Sequence, residues 1–208
     1  LETQAKVKLF KKHLYRLAKD KSPLFKTQTA IAHPEDRILL KKAVEACPLL
    51  GETSDGKQIY LYQYQQSSPV LREIGRLREI TFRAIGEGTN ESIDLDKFDQ
   101  YYHHLFLWDT DKHKVAGAYR MGLGKDIFKK HGINGFYLNE LFRFEPELFD
   151  MMSESIDMGR AFVVKDYQQK PMPLFLLWRG IIHVTLRFPE YKFLMGGVSI
   201  SNQFSEFS

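Results

Sequence analysis

Two short stretches hold most of the ionisable side chains that could move a proton or fix an anion. The first is Asp94-Leu95-Asp96-Lys97-Phe98-Asp99, followed by Tyr101, Tyr102, His103 and His104. Carboxylates next to histidines suit either a proton relay or a metal site. A calcium loop would need Gly at its sixth position and Glu at its twelfth; Asp99 and Leu105 stand there, which excludes calcium. In a strand, adjacent His103 and His104 point to opposite faces, a poor geometry for sharing a zinc, so no metal is expected. The aspartates are then either working groups or an acidic loop.

The second stretch is Ile156-Asp157-Met158-Gly159-Arg160-Ala161-Phe162-Val163-Val164. Charges inside an apolar strand are costly unless they are paired or used. Regular pleating would send Asp157 and Arg160 to opposite faces, whereas a bulge at Gly159 would bring them to one. A structural ion pair and a working pair remain equally open. Gly86-Glu87-Gly88 and Gly122-Leu123-Gly124 fit no phosphate-loop spacing, and no Ser-His-Asp or catalytic-Cys arrangement is readable. The one cysteine, Cys47, lies in an apolar stretch and is expected to pack.

These residues must be positioned by a single-domain core, which 208 residues and 43% hydrophobic content permit. Gln58 to Tyr64 alternates and reads as the first strand. A helix follows from Ser68 to Ile85. Its stripe of Leu71, Ile74, Phe82 and Ile85 includes Arg78, so Arg78 is expected to be buried against an acidic-loop carboxylate. His104–Asp109 and Val115–Met121 form a hairpin around Asp111, and Phe136–Phe144 and Ile156–Val164 add two strands. The helix from Pro173 to about Phe188 is apolar on nearly every face and should be buried between elements, and Tyr191–Ser201 reads as a core strand. This order gives an α/β fold with a mixed sheet flanked by helices.

The first 45 residues carry eleven Lys/Arg against five Asp/Glu, while the whole chain has a net charge of +4. The basicity thus belongs to an N-terminal arm. Within it, Val7, Phe10, Leu14 and Leu17 recur at helical spacing among Lys8, Lys11, Lys12 and Arg16. The apolar stripe calls for cover by the following domain, a preceding domain or a membrane surface. The charge suits an acidic partner or simply a solvated face. His33-Pro34 is expected to open a second short helix, with Pro34 in its first turn. A turn at Ser54-Asp55-Gly56 closes the region, so residues 1–56 read as an appendage and 57–208 as the domain. No apolar run is long enough to cross a bilayer and no export signal is visible, which makes a cytoplasmic location, peripheral to the membrane at most, the expectation.

In order along the chain, Arg78-x-x-x-Phe82, Asp94-x-Asp96-x-Phe98-Asp99, His104-Leu105, Gly117-x-Tyr119-Arg120 and Asp157-x-x-Arg160-x-Phe162-Val163 resemble the pattern shared by acyl-homoserine-lactone synthases and ornithine-lipid N-acyltransferases. Met158 to Val163 and Leu176-Leu177-Trp178-Arg179-Gly180 are especially similar to the "putative hemolysin" relatives in Bacteroidetes, which include glycine N-acyltransferases. The resemblance covers Tyr60 to the C-terminus. It implies a GNAT-like fold, C-terminally incomplete at Ser208, with the N-terminal arm as the tail of a phospholipid-acyltransferase-like domain. Many relatives carry Glu where Asp157 stands.

The resemblance also implies transfer of a fatty acyl group from a carrier-protein thioester, or acyl-CoA, to an amino acid such as glycine or ornithine in lipid synthesis, without a tightly bound cofactor or nucleic acid. Asp157, Asp96, Asp99 or His104 would relay the amine proton, with Asp157 or His104 as base. Arg160 and Arg120 would hold the acceptor carboxylate or order the acidic loop, and Arg78, Phe82 and Phe98 would shape the substrate site. The pantetheine arm would lie in a gap beside Phe162, Val163 and Val164, near Gln169, Lys170 and Trp178. Tyr167 to Pro173 contains no glycine and two prolines, which argues against cradling a CoA pyrophosphate. The alternatives are an acetyl-CoA-dependent acetyltransferase and a silent module that binds a carrier protein or lipid.

Overall fold

A computed structural model describes residues 2–25, 28–53, 56–168 and 171–198. Among these, six strands form one mixed sheet in chain order: β1 (Leu49–Glu52), β2 (Lys57–Gln63), β3 (His103–Asp109), β4 (Lys114–Leu123), β5 (Ser155–Val163) and β6 (Phe193–Gly196). The first five pair antiparallel, and β6 runs parallel to β5. The helices are α1 (Thr3–Leu17), α2 (Arg37–Glu45), α3 (Pro69–Arg83), α4 (Gly124–His131), α5 (Phe149–Ser153), α6 (Lys165–Gln168) and α7 (Pro171–Arg187).

Strand alternation sorts the core into two layers. Ile59, Leu61, Leu105 and Leu107 turn to one face, where Leu176, Leu177, Ile181 and Val184 of α7 cover them. Tyr60, Tyr62 and Phe106 turn to the other, under Val70, Leu71, Ile74 and Leu77 of α3, with Leu40 and Val44 of α2 behind. A third cluster of Phe98, Tyr102, Ile127, Phe136 and Met152 closes the end of the sheet. Cys47 packs at the edge of the α3 layer, and burial pushes its thiol up to about 11. That removes it from thiolate chemistry.

Several elements depart from the sequence pattern. Leu49–Glu52 is an edge strand paired with β2, so the sheet begins within the stretch read as an appendage. The second helix starts at Arg37, not at Pro34, because Asp36 is its cap: Asp36 Oδ1 accepts from the amides of Ile38 (2.9 Å) and Leu39 (3.0 Å). Phe136–Phe144 is no strand; short 3-10 turns occupy Ile133–Gly135 and Tyr137–Glu140. Ile85, placed on the buried stripe of α3, lies beyond the helix end and is exposed.

Among the described residues, the α7 helix is covered on one side only. Phe175, Trp178 (62% exposed), Ile182 and Leu186 face out. Tyr191–Ser201 gives only the short β6, whose residues are largely exposed, and Ser199 to Ser201 lie outside the described residues. So do Ser54 and Asp55 of the expected turn. The α1 stripe is bare as well: apart from Ala5, His13 and Arg16, every residue of α1 is exposed, so the following domain does not cover it.

Candidate active site

The acidic loop and the charged strand meet on the α3 side of the sheet. Arg78 is 1% exposed, and its guanidinium forks onto Asp99, with Nη1 donating to Oδ1 (3.0 Å) and Nη2 to Oδ2 (2.7 Å). Its Nε lies 3.1 Å from Asp94 Oδ2, and Nη2 also donates to the Asp94 carbonyl. The loop can approach this closely because Gly75 has no side chain: a β-carbon there would sit 2.7 Å from Ile93 and Leu95. The expected burial of Arg78 against the loop is thus what the geometry shows.

Asp96 starts a short 3-10 turn, Lys97–Gln100, as a capping box. Its Oδ1 accepts from the Phe98 amide (2.9 Å), while its own amide donates to Asp99 Oδ2 (2.8 Å). Arg120, from β4, clamps the turn by donating from Nη1 to both Asp96 oxygens (2.7 and 2.8 Å) and to Asp99 (3.3 Å). Burial would raise the Asp99 carboxyl, but Arg78 and then Arg120 hold it well below the usual carboxylate range. Of the two roles open to Arg120, ordering the acidic loop is the one its geometry fits. At 1% exposure and with both carboxylates bound, it is sealed from an incoming acceptor.

His104 is also sealed. It is fully buried, its Nε2 stands 3.6 Å from Asp99 Oδ1, and its ring tilts against Tyr62. Burial, with Arg78 and Arg120 nearby, pulls it down to about 3, so it is neutral. A base without access to substrate cannot take its proton, which removes His104 from that role. His103 points to the opposite face, against Phe188. The described residues contain no metal-ligand cluster.

Asp157 is 1% exposed and accepts a hydrogen bond from the Tyr102 hydroxyl at 2.8 Å. Burial raises its carboxyl, while Tyr102 and Arg120 pull the other way. Tyr102 in turn accepts from the Tyr137 amide (2.9 Å), and its ring lies where a β-carbon on Gly122 would collide with it. A bulge does break β5, one residue later than expected. Arg120 faces Gly159 and Ala118 faces Phe162, so Arg160 and Ala161 together oppose Tyr119, and Arg160 takes the left-handed φ of +50°. The bulge turns Arg160 to the face that holds Asp157. There its Nη1 lies 3.4 Å from Asp94 Oδ2 and its guanidinium packs on Phe82 (5.7 Å) and Tyr137 (5.5 Å). Asp157 and Arg160 are neighbours across Tyr137, not a bonded pair among the described contacts.

Beside this cluster opens a cleft of about 650 Å³. The parallel pairing of β5 with β6 ends at Met158 and Gly196. Beyond that point the strands part, and Met158–Ala161 and Leu194–Val198 become the two walls, with Phe82, Glu87, Tyr119, Tyr137, Leu141 and Phe142 around them. Most of this lining is apolar; among the described residues Arg160 and Glu87 are its only charged ones. The gap was expected, but its place along β5 differs. Phe162 is buried in the α3 layer, Val163 and Val164 pack against the cores, and Trp178 stands on the outer face of α7. Gln169 and Lys170 lie outside the described residues. Phe98, with Arg120 at 5.5 Å from its ring, is sealed in the third cluster, while Phe82 does reach the cleft. Tyr137, Leu141 and Phe142 were missed because their segment reads as a strand. Only the Gly-flanked Glu87 could have hinted at a site.

The mixed sheet flanked by helices, whose last parallel pair splays over a cleft, is an α/β fold of the GNAT type. Residues 77–178 match the family model described as Acetyltransferase (GNAT) domain, and the chain carries such a domain. Among curated relatives, the chain is 33% identical over 182 residues to a Glycine N(alpha)-acyltransferase of Bacteroides thetaiotaomicron, covering 82% of this chain and 54% of the relative. It is 34% identical to a Glycine N(alpha)-acyltransferase of Phocaeicola vulgatus, covering 82% of this chain and 56% of the relative. The chain thus spans about half the length of the curated relatives it matches. No solved structure matches it significantly.

Proposed function

We propose that the protein moves a long acyl group from a thioester to the amine of glycine. The observation that carries this reading is the cleft: about 650 Å³ with mostly apolar walls and one cation, Arg160, in its lining. An acetyl group would leave most of that surface wet, whereas an acyl chain buries it. The names of the two relatives supply glycine as the acceptor. Arg160 holds the acceptor's carboxylate by charge-assisted hydrogen bonds. Glycine's neutral amine attacks the thioester carbon, the C–N bond forms, the thiolate leaves with the C–S pair, and the amine's surplus proton passes to it. Proximity in the cleft supplies much of the acceleration, so the step does not depend on a buried base. On this reading Asp157, one residue before the cleft wall, positions Tyr137 through Tyr102, whose hydroxyl donates to the carboxylate and accepts from the Tyr137 amide.

The donor on this reading is a carrier-protein thioester. The first four amides of a helix are free to bind an anion, and in α7 two of those four positions are Pro171 and Pro173. What remains suits the single phosphodiester of carrier-bound pantetheine better than a pyrophosphate. The test is a parallel assay of long-chain acyl-carrier protein, long-chain acyl-CoA and acetyl-CoA with glycine, ornithine and serine as acceptors. Fastest turnover of acetyl-CoA would overturn the long-chain reading, preference for long-chain acyl-CoA the carrier assignment, and preference for ornithine the acceptor. Absence of turnover with every donor would leave a binding module.

A further inference from the structure

We infer that α1 is an interfacial helix that docks the protein on an anionic lipid bilayer. Its apolar stripe stands open to solvent, with Val7 61%, Phe10 59% and Leu14 61% exposed. Large apolar side chains in a row along a helix mark a contact surface. The charge says what kind. Between Thr3 and Leu17 the helix carries Lys6, Lys8, Lys11, Lys12 and Arg16 and no acidic residue. On a 100° helical wheel Lys6 and Lys11 flank the stripe, while Lys8, Lys12 and Arg16 fill the opposite face.

The helix is braced as a unit. Arg16 Nε donates to the Ser22 carbonyl at 2.7 Å. The amides of Leu24 (3.2 Å) and Phe25 (3.4 Å) donate to His13 Nδ1, and Phe25 packs on Phe10 (5.7 Å). This hook covers the flank of the helix at His13 and touches the edge of Phe10, and leaves most of the stripe exposed. An acidic protein would pair with the lysines yet leave Val7, Phe10 and Leu14 in water. A second copy of the chain would cover the stripe but bring like charges together. The headgroup boundary of an anionic bilayer accepts both the apolar stripe and the lysines.

The experiment is vesicle co-sedimentation of the 208-residue chain, with no acyl transfer in the readout. Vesicles of phosphatidylcholine containing phosphatidylglycerol should bind it at least roughly tenfold more tightly than phosphatidylcholine alone, and salt should weaken that binding. Phe10→Ser with Leu14→Ser, and separately Lys8→Glu with Lys12→Glu, should each abolish most of the binding with unchanged thermal unfolding, since all four residues are exposed. Equal binding to both vesicle types, no binding to either, or binding that survives both double variants would overturn the inference. So would a dimer in light scattering that the Phe10 and Leu14 changes dissolve.

Discussion

The arginine cluster around Asp99 and the cleft beside Arg160 share one side chain, Tyr137, whose ring contacts both Arg120 (4.8 Å) and Arg160 (5.5 Å). On the cluster side both guanidinia are buried and ion-paired, although Arg120 Nη2 has no hydrogen-bond partner among the described residues. Arg78 and Arg120 are 1% exposed, and the carboxylates of Asp94, Asp96 and Asp99 hold them. On the cleft side the guanidinium of Arg160 has one long contact to Asp94, and its side chain reaches the wall of the cavity. The same residue types therefore serve two ends. Sealed, ion-paired charges fix a loop, and a partly exposed one with a single long ionic contact is left to meet a ligand.

The largest expected effect lies in the sealed half. Arg78→Ala would strand Asp94 and Asp99 as buried carboxylates without their main partner and should lower stability by about 3–5 kcal/mol, measured by denaturant unfolding. A variant of near wild-type stability would mean that the cluster is not the fixed half of the comparison.

The second effect is a pH dependence from His104 in the same half and from His103 on the opposite face. Burial holds His103 down to about 4 and His104 to about 3. Their folded values lie below the unfolded value near 6.5, so the unfolded chain binds the extra protons. The stability that the two neutral rings allow is complete above about pH 6.5 and is lost as pH falls toward 4 and then 3. Each contributes up to about 1.4 kcal/mol per pH unit in that window. His104→Gln should make the slope of unfolding free energy between pH 6 and 4 visibly shallower; an unchanged slope would show that the ring is not sealed.

In the open half the effects should fall on turnover and leave the fold alone. Arg160→Gln should raise the KM for glycine about ten- to hundredfold, the loss expected for hydrogen bonds to a charged group, while unfolding shifts by about 1 kcal/mol or less. A large loss of stability would place Arg160 with the cluster instead. The smallest effect belongs to Gly159→Leu. A β-carbon there meets nothing closer than Tyr137 at 3.9 Å, so the backbone tolerates it and the side chain enters the cleft. Stability should stay within about 1 kcal/mol of wild type, as for changes that break no packing or pairing. Long-chain donors should slow more than short ones, and equal slowing would mean that the acyl chain lies elsewhere.

How far the sequence revealed this arrangement depended on periodicity. The stripe of α3 exposed the anomaly of Arg78, and the Asp157–Arg160 spacing called for a bulge, because both break a regular pattern that burial enforces. β1 was invisible because four residues carry no period. Phe136–Phe144 reads as a strand because an apolar aromatic run looks the same whether it pairs with a neighbour or folds into 3-10 turns over a cluster. His104 looked like a base because its chemistry is local, while its burial depends on the register that sets it opposite Tyr62 and Arg120. The face of α7 failed in the opposite sense: apolar residues all round do not guarantee cover all round. The cleft itself was placed too far along β5, because the point where two strands part is a property of both.

The bulge at Arg160 has a further consequence for chain length. Gly159 and Phe162 belong to the same face of the sheet, which an unbroken strand would also allow if only one residue stood between them; two do. Arg160 is thus a supernumerary residue, carried outside the count that keeps the strand in phase. Deleting Ala161 would leave Asp157 and Phe162 on their present faces, and with them both core layers, and would turn Arg160 alone to the other side. At this point of the chain a one-residue deletion edits chemistry without editing architecture.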